Sequence, residues 1–521
     1  MSLSSPFMSS MGMTEQPSLL PFAVRPAFSR FAPGQMLPRL RRAGLLFSVM
    51  VTMALSPLSQ AHAQASAEAL TKGAAQSGQQ DASAQSRASR IQEITSPGGI
   101  KAWLVQDTTL PLIAMEFAFI GGAAQDGPQK AGLANLTASL LDEGAGDLDA
   151  NAFQQALADT AVDISFNAGL DEVRGSMRTL SENRNEAFRL LQLAVNEPRF
   201  DTEAIERIRA AQLAGLRRAS TDPGSIASKR WSQLAFPNHP YGQQVSGTLE
   251  SVPTLTHEDI VNFARHTMAR DNLRVAVVGD ITPEELGKRL DEVFGRLPEK
   301  AQLQPVADIT PQNIGTREVV ELDVPQSVVI MGTVGLERQD PDFVPLFVLN
   351  HILGGSAFSS RLFKEVREDR GLAYSVGSHL AALDHTGMWV ASTATKNESA
   401  GQAVDLISDN FRRILTKGPT AEELKEAKSY LTGSYALRFD TSSKVAGQLL
   451  QIQLDELGKD YIDQRNALVE AVTLEDIQRV AQRLAKAQDA LVVVVGKPEG
   501  LSSEAAPAAT PAAQPAQTGT N

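Results

Sequence analysis

Cysteine is absent from the 521-residue chain, which excludes disulfides, thiolate metal sites, a cysteine nucleophile and lipidation at a signal-peptide cysteine. Histidine is scarce. The seven are His62, His239, His257, His266, His351, His379 and His385, and no two lie three or four positions apart. Two imidazoles on one helix face need that spacing, so a helix-borne metal pair is excluded. Positive charge is not in excess either: a formal net charge of −12 leaves no electrostatic footprint for nucleic acid and mainly favours solubility. The Gly-x-Ser-x-Gly elbow of acyl hydrolases is missing, since GGSAF from Gly354 lacks the closing glycine. No glycine loop followed by Gly-Lys-Ser/Thr is there to cradle a phosphate.

What is present reads as a soluble globular protein, with 42% apolar and 21% charged residues. Its length predicts several domains at about 100–200 residues each. Residues 1–35 are rich in Ser, Pro, Phe and Met without periodicity; then come Arg39, Arg41 and Arg42, the apolar run Ala43–Leu55 and the small residues AHAQA. These are the three parts of a secretory signal, and the apolar run falls short of the roughly 20 residues of a membrane span. Cleavage is expected after Ala63 or Ala65, which makes the protein periplasmic or secreted without a stable membrane span. The signal begins so late that Met36 is a candidate start within the 1–65 signal region. Residues 66–90, mostly Ala, Ser, Gln and Gly and poor in large apolar residues, read as a disordered linker. Residues 501–521, rich in Ala and Pro, read as a disordered tail.

Between these flanks the periodicities predict strands at Ile100–Val105, Leu110–Ile120, Val162–Phe166, Glu172–Met177 and Leu273–Val278. Helices are predicted at Ala131–Leu141, Ala152–Asp159, Glu182–Val195, Thr202–Ala219 and Thr256–His266, with Thr256 as N-cap. The chain also repeats itself. LTHEDIVNFARHTMARDNLRVAVVGD from Leu255 recurs as VTLEDIQRVAQRLAKAQDALVVVVGK from Val472, so that Thr256 matches Thr473, Asp259 matches Asp476 and Gly279 matches Gly496. Upstream, TEAIERIRAAQLAGL at Thr202 is echoed by TAEELKEAKSYLTGSY at Thr420. Two echoes in the same order indicate a tandem duplication, with halves at 91–297 and 318–500. The Pro/Gln-rich stretch within 298–317 has linker composition. The fold class implied is α+β, each half an α/β sandwich with antiparallel sheets and helices packed on them, the two forming a clamshell.

The stretch from Leu353 to Val376, LGGSAFSSRLFKEVREDRGLAYSV, is where chemistry concentrates. Gly354, Gly355 and Ser356 precede a helix that Gly371 stops. Arg367 near its end and Tyr374 seven positions on are placed to face one cleft and hold an extended peptide or a reacting carbonyl. Spacing alone fits a plainer account better: a tight loop, an ordinary C-cap glycine and an arginine on a solvated face. The segment resembles the C-terminal-half signature of the M16 family of insulinase, pitrilysin and the mitochondrial processing peptidase, and the resemblance extends over nearly all of residues 91–498. It implies two homologous halves around a substrate chamber, with Arg367 and Tyr374 binding substrate and polarising the scissile carbonyl. It also implies that Ser165–Leu170, with the strand Glu172–Met177, lies at the substrate edge; an ordinary surface hairpin explains those residues as well.

An active M16 enzyme carries His-x-x-Glu-His on the first helix of its N-terminal half, with a downstream Glu as further ligand. Here the surroundings survive as GLANLTASLL from Gly132, but Asn135 stands at the first His, Ala138 at the Glu and Ser139 at the second His. The helix expected to give the further ligand, Arg207–Ser220, holds no Asp or Glu. His351 reads as a structural histidine, and Asp142 with Glu143 as a solvated helix end. The resemblance therefore implies a chain with no catalytic residues and no metal of its own, completing the substrate cleft of a heterodimer whose zinc sits in an M16 partner and whose substrates are peptides or unfolded polypeptides. The alternative is a peptide-binding or structural scaffold of the same fold with no proteolytic role.

Overall fold

Alternating apolar residues set the architecture. In the strand Leu112–Ile120, Ile113, Met115, Phe117 and Phe119 are buried in one core, while Ala118 on the opposite face belongs to another. A strand that is apolar on both faces must be covered on both. The computed structural model describes residues 87–504 apart from 357 and 486–488; the expected signal region and the tail beyond Glu504 lie outside the described residues. All the described residues from Arg87 onward belong to one compact unit.

The first half forms a six-stranded sheet from β1 (Ile91–Thr95), β2 (Lys101–Gln106), β3 (Leu112–Ile120), β4 (Asp163–Ala168), β5 (Glu172–Leu180) and β6 (Leu273–Gly279), in the order β1-β2-β6-β3-β5-β4. The second half forms a five-stranded sheet from β7 (Arg317–Glu321), β8 (Gln326–Val334), β9 (Ala373–Leu383), β10 (Thr386–Lys396) and β11 (Leu491–Gly496), in the order β7-β11-β8-β10-β9. Apart from β1 the two orders are the same. In each, the last strand of the half runs parallel to the first and antiparallel to the second. Each sheet is thus mixed, with a single parallel pair in an otherwise antiparallel ladder. Register repeats too: Ala118 faces Arg274 in one sheet and Gly332 faces Leu491 in the other.

The helices of the first half are α1 (Leu133–Ala138), α2 (Ala150–Asp159), α3 (Arg184–Asn196), α4 (Thr202–Ala219), α5 (Pro223–Ala235), α6 (His257–Thr267) and α7 (Pro283–Phe294). Those of the second are α8 (Phe343–Asn350), α9 (Ala400–Lys417), α10 (Ala421–Gly433), α11 (Ser442–Leu454), α12 (Tyr461–Ala471) and α13 (Leu474–Leu484). Thr256 begins α6 through a capping box with Asp259, and Thr473 begins α13 through the same box with Asp476, so the repeated Thr-x-x-Asp marks two equivalent helix starts.

One helix of each half crosses to the other. Ala227, Trp231 and Ala235 line one face of α5 and pack with Ile330, Val390, Leu491 and Val493 of the second sheet. In return, Ala446, Leu449 and Leu450 of α11 pack with Ala118, Ala276 and Val278 of the first. Each exchanged helix also gives a side-chain N–H to the central strand beneath it: Trp231 Nε1 donates to the Leu491 carbonyl at 3.1 Å and Gln453 Nε2 to the Val275 carbonyl at 3.0 Å. The Arg230 guanidinium of α5 further pairs with the Glu318 carboxylate of β7.

The segment joining the halves is tied down along its length. Gln302 donates its N–H to the His266 carbonyl, Ile309 to that of His385 and Gln312 to that of Ala235.

Candidate functional site

The helix that would carry a metal is short. Gly132 at φ +96° blocks an earlier start, and the carboxylate of Asp126 closes the first turn by accepting the N–H groups of Gly132, Leu133 and Ala134 at 2.8–3.0 Å. Leu133, Leu136 and Leu140 are buried, as their spacing predicts. Asn135 and Ser139, one turn apart, are half-exposed on the same side, while Ala138 is buried. On α4 the guanidinium of Arg207 pairs with the carboxylate of Glu143, so Glu143 is an ion-pair partner rather than a free helix-end charge. Gln212 of α4 gives its amide to the carbonyls of Gly132 and Ser246.

An amide, a methyl and a hydroxyl stand where a zinc site needs imidazoles and a carboxylate. The donor set does not fit zinc, and no group of three or more His, Asp or Glu poised for a metal occurs among the described residues. Asp126 is buried, with 5% of its surface exposed, and three backbone donors depend on it. Asp126→Ala should therefore cost about 3 kcal/mol of stability, at 1–3 kcal/mol per orphaned buried donor, read as a lowered denaturant midpoint.

In the second half α8 runs on into a π-helical turn, His351–Gly355. π-turns of this kind break the regular ladder and redirect the backbone beyond them. Gly354 is buried, and a Cβ there would meet the Ser378 N–H and Oγ of β9 at 2.6 Å. What the structure shows of the glycine pair is thus a close internal approach between this turn and β9. Ser356 is buried and shares a hydrogen bond with Ser359 at 2.8 Å. His351 stacks on Tyr430 with ring centroids 5.1 Å apart. Burial, and next the nearby Arg465 charge, push its pKa down to about 4, which keeps it a neutral packing residue.

A second π-helical turn, Phe363–Glu368, carries Arg367, and Gly371 at φ +61° turns the chain into β9. The helical periodicity places Phe363 one turn before Arg367, and the reversal at Gly371 brings Tyr374 back over it. The Arg367 guanidinium lies 4.7 Å from the centroid of the Phe363 ring and 4.9 Å from that of Tyr374. Tyr374 is 85% exposed. The two residues singled out in the sequence are therefore in contact, the half-buried Arg367 against the exposed Tyr374, which lies in the outermost strand of the second sheet. On the other sheet Ser165–Ala168 lies in the outermost strand β4, which pairs with β5 alone.

One cluster has no signature in the sequence. The tip of the β4–β5 hairpin meets the tip of the β9–β10 hairpin through Tyr241, whose hydroxyl donates to the Asp171 carboxylate at 2.6 Å and accepts the His385 N–H at 3.2 Å. These residues come from segments far apart in the chain, and only the topology unites them.

Fold and site together define a duplicated α+β protein in which Asn135, Ala138 and Ser139 offer neither imidazole nor carboxylate to a metal. Comparison with known proteins agrees. Residues 254–431 match the family described as "Peptidase M16 inactive domain". A Helicobacter pylori protein described as "Non-peptidase homolog YmxG" is 28% identical over 338 residues, 64% of this chain and 77% of that protein. The "Uncharacterized zinc protease YmxG" of Bacillus subtilis is 23% identical, covering 78% of this chain and 98% of that one. A crystal structure titled as a peptidase M16 inactive domain from Pseudomonas fluorescens superposes with a TM-score of 0.73 at 27% identity, covering 80% of this chain and all of that one. The chain is thus similar to M16 proteins along most of its length, and residues 254–431 match the family's inactive domain.

Proposed function

We propose that this chain is the substrate-cleft-completing, non-catalytic subunit of a heteromeric M16 metallopeptidase that acts on peptides or unfolded polypeptides. A homologue with an intact His-x-x-Glu-His would bring the zinc. The observation that carries this reading is the asymmetry of what is kept: Arg367 and Tyr374 stay in contact, Tyr374 open to solvent, while the positions that would hold a metal and activate water have lost every suitable group. A half-buried arginine–tyrosine stack is worth only about 1–2 kcal/mol, so folding alone gives little reason to hold it. Two outermost strands, β4 and β9, also supply edges on which an extended peptide can pair through its main chain regardless of sequence. The N-terminal signal pattern supports a periplasmic or secreted site of action.

The test is isolation from the native source. A zinc-bearing M16 homologue should come down with the protein, the pair should cleave unstructured peptides in a chelator-sensitive way, and the purified single chain should be inert. Cleavage by the single chain that resists chelation, or an isolate with no such homologue, would overturn the reading. N-terminal sequencing of the exported chain should begin just after Ala63 or Ala65.

A further inference from the structure

The surface where the hairpin tips meet has a charge arrangement that folding alone disfavours. Asp171 is buried, and its carboxylate accepts from the Tyr241 hydroxyl at 2.6 Å and from the Asp384 N–H at 3.2 Å. Asp384 itself places a second carboxyl in the field of the first. The groups around the pair are known from every side. Asp171 faces Tyr241, Asp384, Glu172 and His385. Asp384 faces Asp171, Glu172, His385 and Asp455. His385 pairs with Asp308 of the connecting segment at 3.0 Å, Glu172 with Arg174 at 2.8 Å, and Asp455 with Arg338 at 3.1 Å. The nearby cations are thus bound to other acids, and His385 is the one basic group shared by both carboxyls. Two carboxylates this close resist being ionised together.

We propose that the two hairpin tips form a proton-operated latch between the halves, closed when Asp384 holds a proton and loosened when it releases that proton to water. The tips are the natural place for such a device, because each is the end of a hairpin that reaches the other half and is otherwise held to it there by Tyr241.

The direction of the effect is set by the environment. Burial first, and then the Asp171 charge, push the Asp384 carboxyl up to about 7. A carboxyl raised above its unfolded value contributes stability that is whole below about pH 4 and lost as pH climbs through about 7. More than a third of the Asp384 surface nevertheless stays exposed, which screens the repulsion, so only about a third of the nominal linkage is expected.

Amide exchange in the full chain reads the latch directly, because the Asp384 and His385 N–H groups are bonded across it. Their protection, divided by the intrinsic rate at each pH, should fall about tenfold between pH 5 and pH 8, the equivalent of one unit of linkage. Asp384→Asn should flatten that slope to within about twofold. His385→Gln, which removes the imidazole facing both carboxyls, should leave the slope in place. A flat wild-type profile, or a slope that survives in Asp384→Asn, overturns the proposal, and the wild-type profile decides it even if the variant does not fold.

Discussion

Arg367→Ala is expected to lower kcat/KM of the assembled peptidase by about 10²–10³, the effect of removing one donor from a developing oxyanion, while leaving association with the partner unchanged. The structure separates this loss from one of stability. The half-buried guanidinium lies between Phe363 and Tyr374, 4.7 and 4.9 Å from their ring centroids, and removing it costs about 1–2 kcal/mol. Melting and co-purification should move little while turnover collapses. Arg367→Lys keeps the charge but loses the planar fork and its stacking, so it should fall between wild type and Ala. Tyr374→Phe keeps the ring over Arg367 and removes only the hydroxyl; it should act on turnover without disturbing the stack. Hydrolysis unchanged in the Arg367→Ala, Tyr374→Phe double variant would show that the two side chains serve neither grip nor polarisation. The scaffold reading would then be the better one.

Much of this architecture is legible in the sequence. The Thr-x-x-Asp repeats at Thr256 and Thr473 announce equivalent helix starts, because a capping box is written in four consecutive residues. Apolar density in Leu112–Ile120 and continuity in Leu491–Gly496 announce strands, the second apolar throughout because it is buried on both faces. The seven-residue step from Arg367 to Tyr374 is readable as one helical turn plus a glycine reversal. Other features are not. Gly354 reads as part of a tight loop, and its internal contact with Ser378 depends on a strand 24 positions on. The apolar stripe Ala227, Trp231, Ala235 marks α5 as amphipathic, but nothing local says that the sheet beneath it belongs to the other half. Asp171, Tyr241 and Asp384 lie in no motif, and their meeting is a property of hairpin length and topology.

The exchange of helices makes a sharper prediction about what holds the halves together. A Cβ on Gly332 would lie 2.2 Å from Trp231 Cζ2, so glycine there is the space into which the indole fits. The equivalent strand position in the first sheet is Ala118, set by the shared register. The equivalent helix position is Leu450, since α5 and α11 begin at Pro223 and Ser442. One junction thus pairs a large side chain with no side chain, and the other pairs a medium one with a methyl. Gly332→Ala alone should cost about 1–3 kcal/mol by overpacking, and Trp231→Ala about 3–5 kcal/mol by leaving a cavity. Trp231→Leu with Gly332→Ala rebuilds the second junction within the first, so the double variant should be more stable than the sum of its single changes by about 1–2 kcal/mol. Urea midpoints of the wild type, Trp231→Leu, Gly332→Ala and the double variant would give the coupling. Each half needs the other's helix to cover its sheet, so every variant should still unfold in one step; two resolved transitions would mean that the halves stand independently, and strictly additive losses would mean that Trp231 does not fill the space above Gly332.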